Sequence, residues 1–331
     1  MTNRERFQAV LRGRPMERMP MVEWASWWPE TVKQWRKEGL SPQLDGPALA
    51  DYWGLDPLLQ YWICPMGKGC PRPPEYGAGI LEDEEGYEAA LPYLYQDASI
   101  QKLTEWMEKV RPRHESGEAV VWLTLEGFFW TPRTLLGIEE HLYAFYDQPE
   151  LLHRINRDQA AFCLRTIEAA CRVFSPDFVT LAEDMSYNHG PMLSKACYDE
   201  FIAPYYRQVI PALAERGVPV LIDTDGDVEP MIPWFRECGL SGVLPLERQA
   251  GVDVARIRAN YPDWIMLGGY DKTVMHLGES AMRREFERLL PTMRTGRYIA
   301  SVDHQTPPDV SMENYRVYRA LLEEYAVRAA E

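Results

Sequence analysis

Three features of the sequence predict a (β/α)8 barrel of the TIM type, carrying an elaborated N-terminal region and a small β-hairpin excursion. Apolar strand-like runs alternate with amphipathic helical stretches through most of the chain. Run after run ends in an acid, the pattern of a barrel whose polar groups collect at the C-terminal ends of its strands. The chain is also long enough, at 331 residues and 46% hydrophobic, to bury a barrel core as a single domain. A doubly wound sheet, which alternates in the same way, is the runner-up. Within the single domain, residues 1–95 read as the N-terminal elaboration and 96–331 as the regular portion.

Taken in order, Thr2 and Glu5 form a capping box, Phe7, Val10 and Leu11 give one apolar face, and Gly13 ends the first helix. The extended stretch RMPMVEW over 18–24 reads as the first strand, and a further strand is expected within 55–63. Between them lies an aromatic cluster that includes Trp24, Trp27, Trp28, Trp35, Trp53 and Trp62. It has two readings: core and interface packing, or a wall for a flat or methylated ligand, including cation–π contact with a quaternary amine. Short pieces around EDEEGYE over 73–94 read as the hairpin, with Gly86 in its turn. After it, strands are expected at AVVWLTLEG, DFVTLAED, VPVLIDTDGD, GVLPLE, WIMLGGYDK and RYIASVDH, each preceded by a helical stretch. MENYRVYRALLEEYAVRA closes the chain as a helix.

Charge and cysteine usage narrow the function classes. A formal charge of −15 opposes binding to nucleic acid or an anionic membrane surface. The chain has no apolar run long enough to span a bilayer, and MTNRERFQAVLRG is a polar helix rather than a signal peptide, so a cytoplasmic protein is expected. Six cysteines without a CxxC pair read as reduced structural thiols.

The chemistry is concentrated in VPVLIDTDGD. An apolar run leads into Asp223, Asp225 and Asp227, and strand alternation puts Asp223 and Asp225 on one side. Two such carboxylates repel unless a cation, a shared proton or a basic group lies between them. Other strand ends contribute Glu126, Glu183 with Asp184, Glu247, Asp271, and Asp303 with His304. The acids could pair with Arg248, Lys272 or His189, bind a cationic substrate, or hold a metal. DTDGD is not an EF-hand loop, because its glycine comes too early and Trp234 stands where the bidentate glutamate belongs. Its likeness to a phosphatase nucleophile strand is weakened by its position deep in the chain.

Two segments carry a family resemblance. RYIASVDHQTPPDVSMEN resembles the RYIANLGHG segment of uroporphyrinogen decarboxylases, with His304 on that family's histidine, and WIMLGGYDK resembles their LQGNLDP turn. The superfamily also contains corrinoid:thiol methyltransferases, in which a strand end reading HxCG and a later cysteine hold zinc. The matching strand end here is Asp223-Thr224-Asp225-Gly226, and the later cysteine falls on or beside Asp303. Soft ligands are therefore replaced by hard ones. The metal set this implies, Asp223, Asp225, Asp303, His304 and Glu247, suits Zn, Mn, Mg or Fe. The arginine-bearing RQAGR segment of the decarboxylases is matched by MVEWASWWPE, with no arginine between Arg18 and Arg36, so uroporphyrinogen itself is a poor substrate for so acidic a mouth.

The resemblance implies metal-assisted methyl transfer from a small methylated or aromatic substrate to a corrinoid, carried on a partner protein, or to another acceptor. Asp223, Asp225, His304 and Glu183 are the expected catalytic residues. Trp24, Trp27, Trp28, Trp53, Glu126, Asp184 and His189 are expected to bind substrate. The alternatives are a decarboxylase (lyase) of a smaller acid and a non-catalytic barrel that binds a small molecule. A homodimer is the expected assembly.

Overall fold

Seven parallel strands stand side by side in a computed structural model that describes residues 1–25 and 27–331. They are β1 (Leu58–Ile63), β2 (Val120–Glu126), β3 (Phe178–Ala182), β6 (Val220–Asp223), β7 (Gly242–Leu244), β8 (Ile265–Tyr270) and β9 (Tyr298–Val302), and a short antiparallel pair, β4 (Ser186–Tyr187) and β5 (Gly190–Pro191), lies apart from them. Spatial order follows sequence order without reversal. A doubly wound sheet reverses its strand order at a switch point, so the runner-up fold is excluded and the sheet curls in the manner of a barrel. The strands β2, β3 and β6 to β9 are buried along their whole length, as expected of parallel strands covered on both faces.

The helices follow the expected pattern. Thr2 and Glu5 make the reciprocal capping box of helix Asn3–Leu11. That helix stacks Phe7 on Phe178 and receives a backbone hydrogen bond from Arg297 to Val10, so it covers the N-terminal ends of the strands. Long helices at Asp97–Glu115, Pro149–Val173, Glu279–Met293 and Met312–Arg328 pack outside the sheet. No helix among the described residues is long and apolar enough to cross a membrane. All six cysteines are unpaired thiols.

Two N-terminal expectations are corrected. The segment 73–94 forms no hairpin: Glu84–Ala90 is a helix, because Asp83 caps it by accepting from the Gly86 amide at 2.9 Å and Glu84 and Glu85 complement its first turn. The segment 18–24 is extended but joins no ladder. Pro20 has no N–H to give, and the Asp56 side chain takes the Met21 amide at 2.9 Å while Arg18 grips the same carboxylate at 2.7 and 2.8 Å. The segment still touches both edges of the sheet. The Met21 carbonyl accepts from Asp56 N just before β1, and Trp24 Nε1 donates to the Val302 carbonyl of β9 at 2.8 Å. Seven strands are therefore laddered among the described residues, and the seam between β9 and β1 is spanned by the 18–24 segment.

Candidate active site

Register places the principal acids. Glu126 pairs with Ala182 and Ala182 with Asp223, so both carboxylates leave the C-terminal rim at one level and on one face. The loop after β6 is pinned by the β4–β5 hairpin: Asp227 N donates to the Tyr187 carbonyl at 2.9 Å, and Met185 N donates to Thr224 Oγ1 at 3.0 Å. Gly226 (φ +82°) is required here, since a Cβ would lie 2.5 Å from the Tyr187 backbone.

The acids at this rim differ sharply in what they touch. Glu183 is fully buried and accepts from the amides of Phe128, Phe129 and Trp130 at 2.8, 2.7 and 3.0 Å and from the Tyr206 hydroxyl. Burial pushes it up to about 7 against those donors. With both oxygens engaged it positions the turn leading into helix Trp130–Leu136. Glu126 accepts from Trp62 Nε1 at 3.2 Å, while its other oxygen is buried without a partner among the described residues; burial raises it to about 7.

Asp223, 8% exposed, has no hydrogen-bond donor or ion-pair partner for its carboxylate among the described residues. Burial, then Asp184 and Asp225, push it well above the usual carboxylate range. Asp225 is more open and meets His304 Nε2 at 3.8 Å; burial, Asp184 and Glu247 raise it to about 7. Asp184, in the left-handed region at φ 46°, is approached by Arg133 at 3.8 Å and is raised by burial. On the other side, Lys272 Nζ lies 3.5 Å from Glu247 and 3.4 Å from Asp303. Asp303 is fully buried, accepts from the amides of Arg248 and Lys272, and is raised to about 6 by burial, with Lys272 opposing. Glu247 also accepts from Gly226 N at 3.0 Å. His304 stands edge-on to Trp24, ring centres 5.9 Å apart, and burial followed by Lys272 lowers its pKa.

The structure thus gathers Asp184, Asp223, Asp225, Glu247, Asp303, His304 and Trp24 around one rim. Other expected residues lie elsewhere. Trp53 is core, packed with Trp35 and Tyr315 at 5.3 and 4.7 Å, and Trp27 joins that cluster from its edge. Trp28 is exposed at the start of helix Pro29–Lys37. His189 is exposed in the β4–β5 turn against Tyr187 and pairs with none of the acids. Arg248 acts through its amide, not its guanidinium. Asp271 caps the turn at Lys272–Leu277. Sequence reasoning missed Arg133, which nothing local signals, and had Lys272 only as one of several ion-pair partners.

Among the described residues no three His, Cys, Asp or Glu side chains converge as ligands. Asp303 and Glu247 are committed to backbone amides and to Lys272, whose ammonium already supplies the positive charge on that side. What remains is a carboxyl pair, Asp223 and Asp225, that can hold a proton near neutral pH and present it to a reacting group.

Comparison with known proteins agrees with this architecture. A methyltransferase from Methanosarcina mazei superposes with a TM-score of 0.68 at 16% identity, over 98% of this chain and 99% of that one. A uroporphyrinogen decarboxylase from Pseudomonas paraeruginosa is 24% identical over 218 residues, 62% of this chain; the chain spans 59% of that relative's length. The family model described as uroporphyrinogen decarboxylase (URO-D) matches residues 83–325, and the chain belongs to that family.

Proposed function

We propose that this protein transfers a methyl group from a small methylated compound to a nucleophilic acceptor, with Asp223 and Asp225 as the acid that protonates the leaving heteroatom. The observation that carries this reading is Asp223: a buried carboxyl with no donor or cation beside it among the described residues, next to two further acids. Such a group keeps its proton at neutral pH, and a carboxyl so held is a general acid. In the step, the acceptor's electron pair forms the new bond to the methyl carbon. The carbon–oxygen bond breaks with its pair on oxygen, and the proton passes from the Asp223/Asp225 pair to that oxygen, releasing the alcohol. His304 stands beside the pair, 3.8 Å from Asp225. The proposed acceptor is a corrinoid on a partner protein. Glu183 and Lys272 hold the rim in shape.

A second reading, decarboxylation of a small acid, draws on the relative named a uroporphyrinogen decarboxylase. There the same pair would protonate the carbanion left as CO2 departs. Uroporphyrinogen itself is opposed by the rim's acids, which Lys272 and Arg133 offset in part, and Arg18 is spent on Asp56.

The test is methyl transfer to cob(I)alamin from methoxy-aromatics and methylamines, followed by absorbance, with CO2 release from small carboxylic acids measured in parallel. Transfer that Asp223→Asn abolishes supports the proposal. CO2 release without transfer replaces it with the second reading.

A further inference from the structure

The strand β1 stands at one edge of the main sheet, as β9 does at the other, and among the main-sheet strands it alone is only partly buried. The reason is a cavity of about 660 Å³ at the seam, between that edge and the segment around Trp24. Its walls are Trp24, Trp27, Trp106 and Trp122, with Leu58 and Gln60 of β1. The volume lies within the range of small-molecule sites, and the charged side chains Glu23, Asp45, Asp51, Asp56, Lys109 and Arg113 stand among the apolar walls.

We infer that the seam cavity holds the aromatic ring of the substrate, which is therefore a methoxy-substituted phenol-type compound. Indole walls favour a flat ring through stacked and edge-on contacts, which a saturated compound does not make as well. Polar substituents find partners on the edge of β1, whose backbone groups on that side enter no ladder. Gln60 is fixed as one wall by donating to Thr124 Oγ1 at 2.8 Å, within a chain that continues to Thr180.

The cavity and the rim share a wall. Trp24 lines the cavity, is anchored to β9 through the Val302 carbonyl, and meets His304 edge-on. This assigns binding to residues the rim does not contain, Trp106 and Trp122 among them, and separates ring recognition from proton transfer.

The inference rests on the proposed methyl transfer for the identity of the substituent but not for the binding of the ring, and the experiment keeps the two apart. Binding of 4-methoxyphenol to the full chain is measured by calorimetry against 4-methoxycyclohexanol and tetramethylammonium. Two variants alter the cavity from the same outer helix: Trp106→Ala removes a wall, and Val110→Trp fills the space. The aromatic probe should bind wild type most tightly and weaken by about tenfold or more in both variants. Asp223→Asn should bind it within about twofold of wild type while losing turnover. Undiminished binding in Val110→Trp, checked as folded by circular dichroism, would overturn the site. Equal or better binding of the saturated or cationic probe would overturn the ligand class. Ring binding as expected, with no methyl transfer from any donor, would leave the cavity assigned and sink the proposed function instead.

Discussion

Glu183 and Asp223 are neighbours in the fold, one just past the end of β3 and the other at the end of β6, and both are buried carboxyls pushed above their usual range. They differ in what they touch. Glu183 takes three backbone amides and a tyrosine hydroxyl; Asp223 takes no donor among the described residues. Burial alone therefore does not mark a working acid. A buried carboxyl with every lone pair engaged holds a turn in place, whereas one without partners keeps a proton available for chemistry.

The largest expected effect follows from removing the unpartnered group. Asp223→Asn should lower kcat/KM for methyl transfer by about 10²- to 10⁴-fold. Its effect on stability has the opposite sign. A carboxyl whose folded pKa is raised contributes stability that is full below the unfolded value of about 4 and is lost as pH rises through the folded one. Wild type should therefore lose stability toward alkaline pH more steeply than the asparagine variant in urea titrations.

Glu183→Gln should behave in the reverse way. The amide group turns a donor toward a nest of donors, and the expected cost is about 2–4 kcal/mol in urea unfolding. Any remaining folded protein should keep most of its activity per molecule. Lys272→Met tests the other side of the rim, where Glu247 and Asp303 lose their cation. The expected loss is about 1–3 kcal/mol at pH 8, and less near pH 5, where Asp303, ionising at about 6, takes up a proton. The smallest effect should come from chelation. Because no three side chains converge as ligands among the described residues, dialysis against EDTA should change the methyl-transfer rate by less than about twofold, measured alongside metal content by mass spectrometry.

Much of the fold was legible because burial on both faces writes continuous apolar runs, as in VVWLTLE of β2 and YIASV of β9. The N-terminal region was less so. Gly86 looked like a turn residue, but Asp83 three positions earlier makes it the third residue of a helix. RMPMVEW has a strand's composition, yet Asp56, far along the chain, takes the Met21 amide that a ladder would need. The acids at the rim were legible from their places at strand ends. Which acid has partners was not, because Glu183 is satisfied by amides more than fifty positions away. The same limit applies to the aromatic cluster. Trp53 and Trp24 look alike in sequence, and only the arrival of Tyr315 and His304 from the end of the chain makes one core and the other site wall.

The central claim, that the Asp223/Asp225 pair supplies the proton for methyl transfer, is tested most directly by single-turnover transfer from 4-methoxyphenol to cob(I)alamin between about pH 5 and about pH 9. With Asp225 ionising at about 7, the wild-type rate should be highest on the acid side and decline above neutrality. Asp223→Asn should be slower by about 100-fold or more at pH 6. An asparagine variant as fast as wild type at every pH would contradict the account.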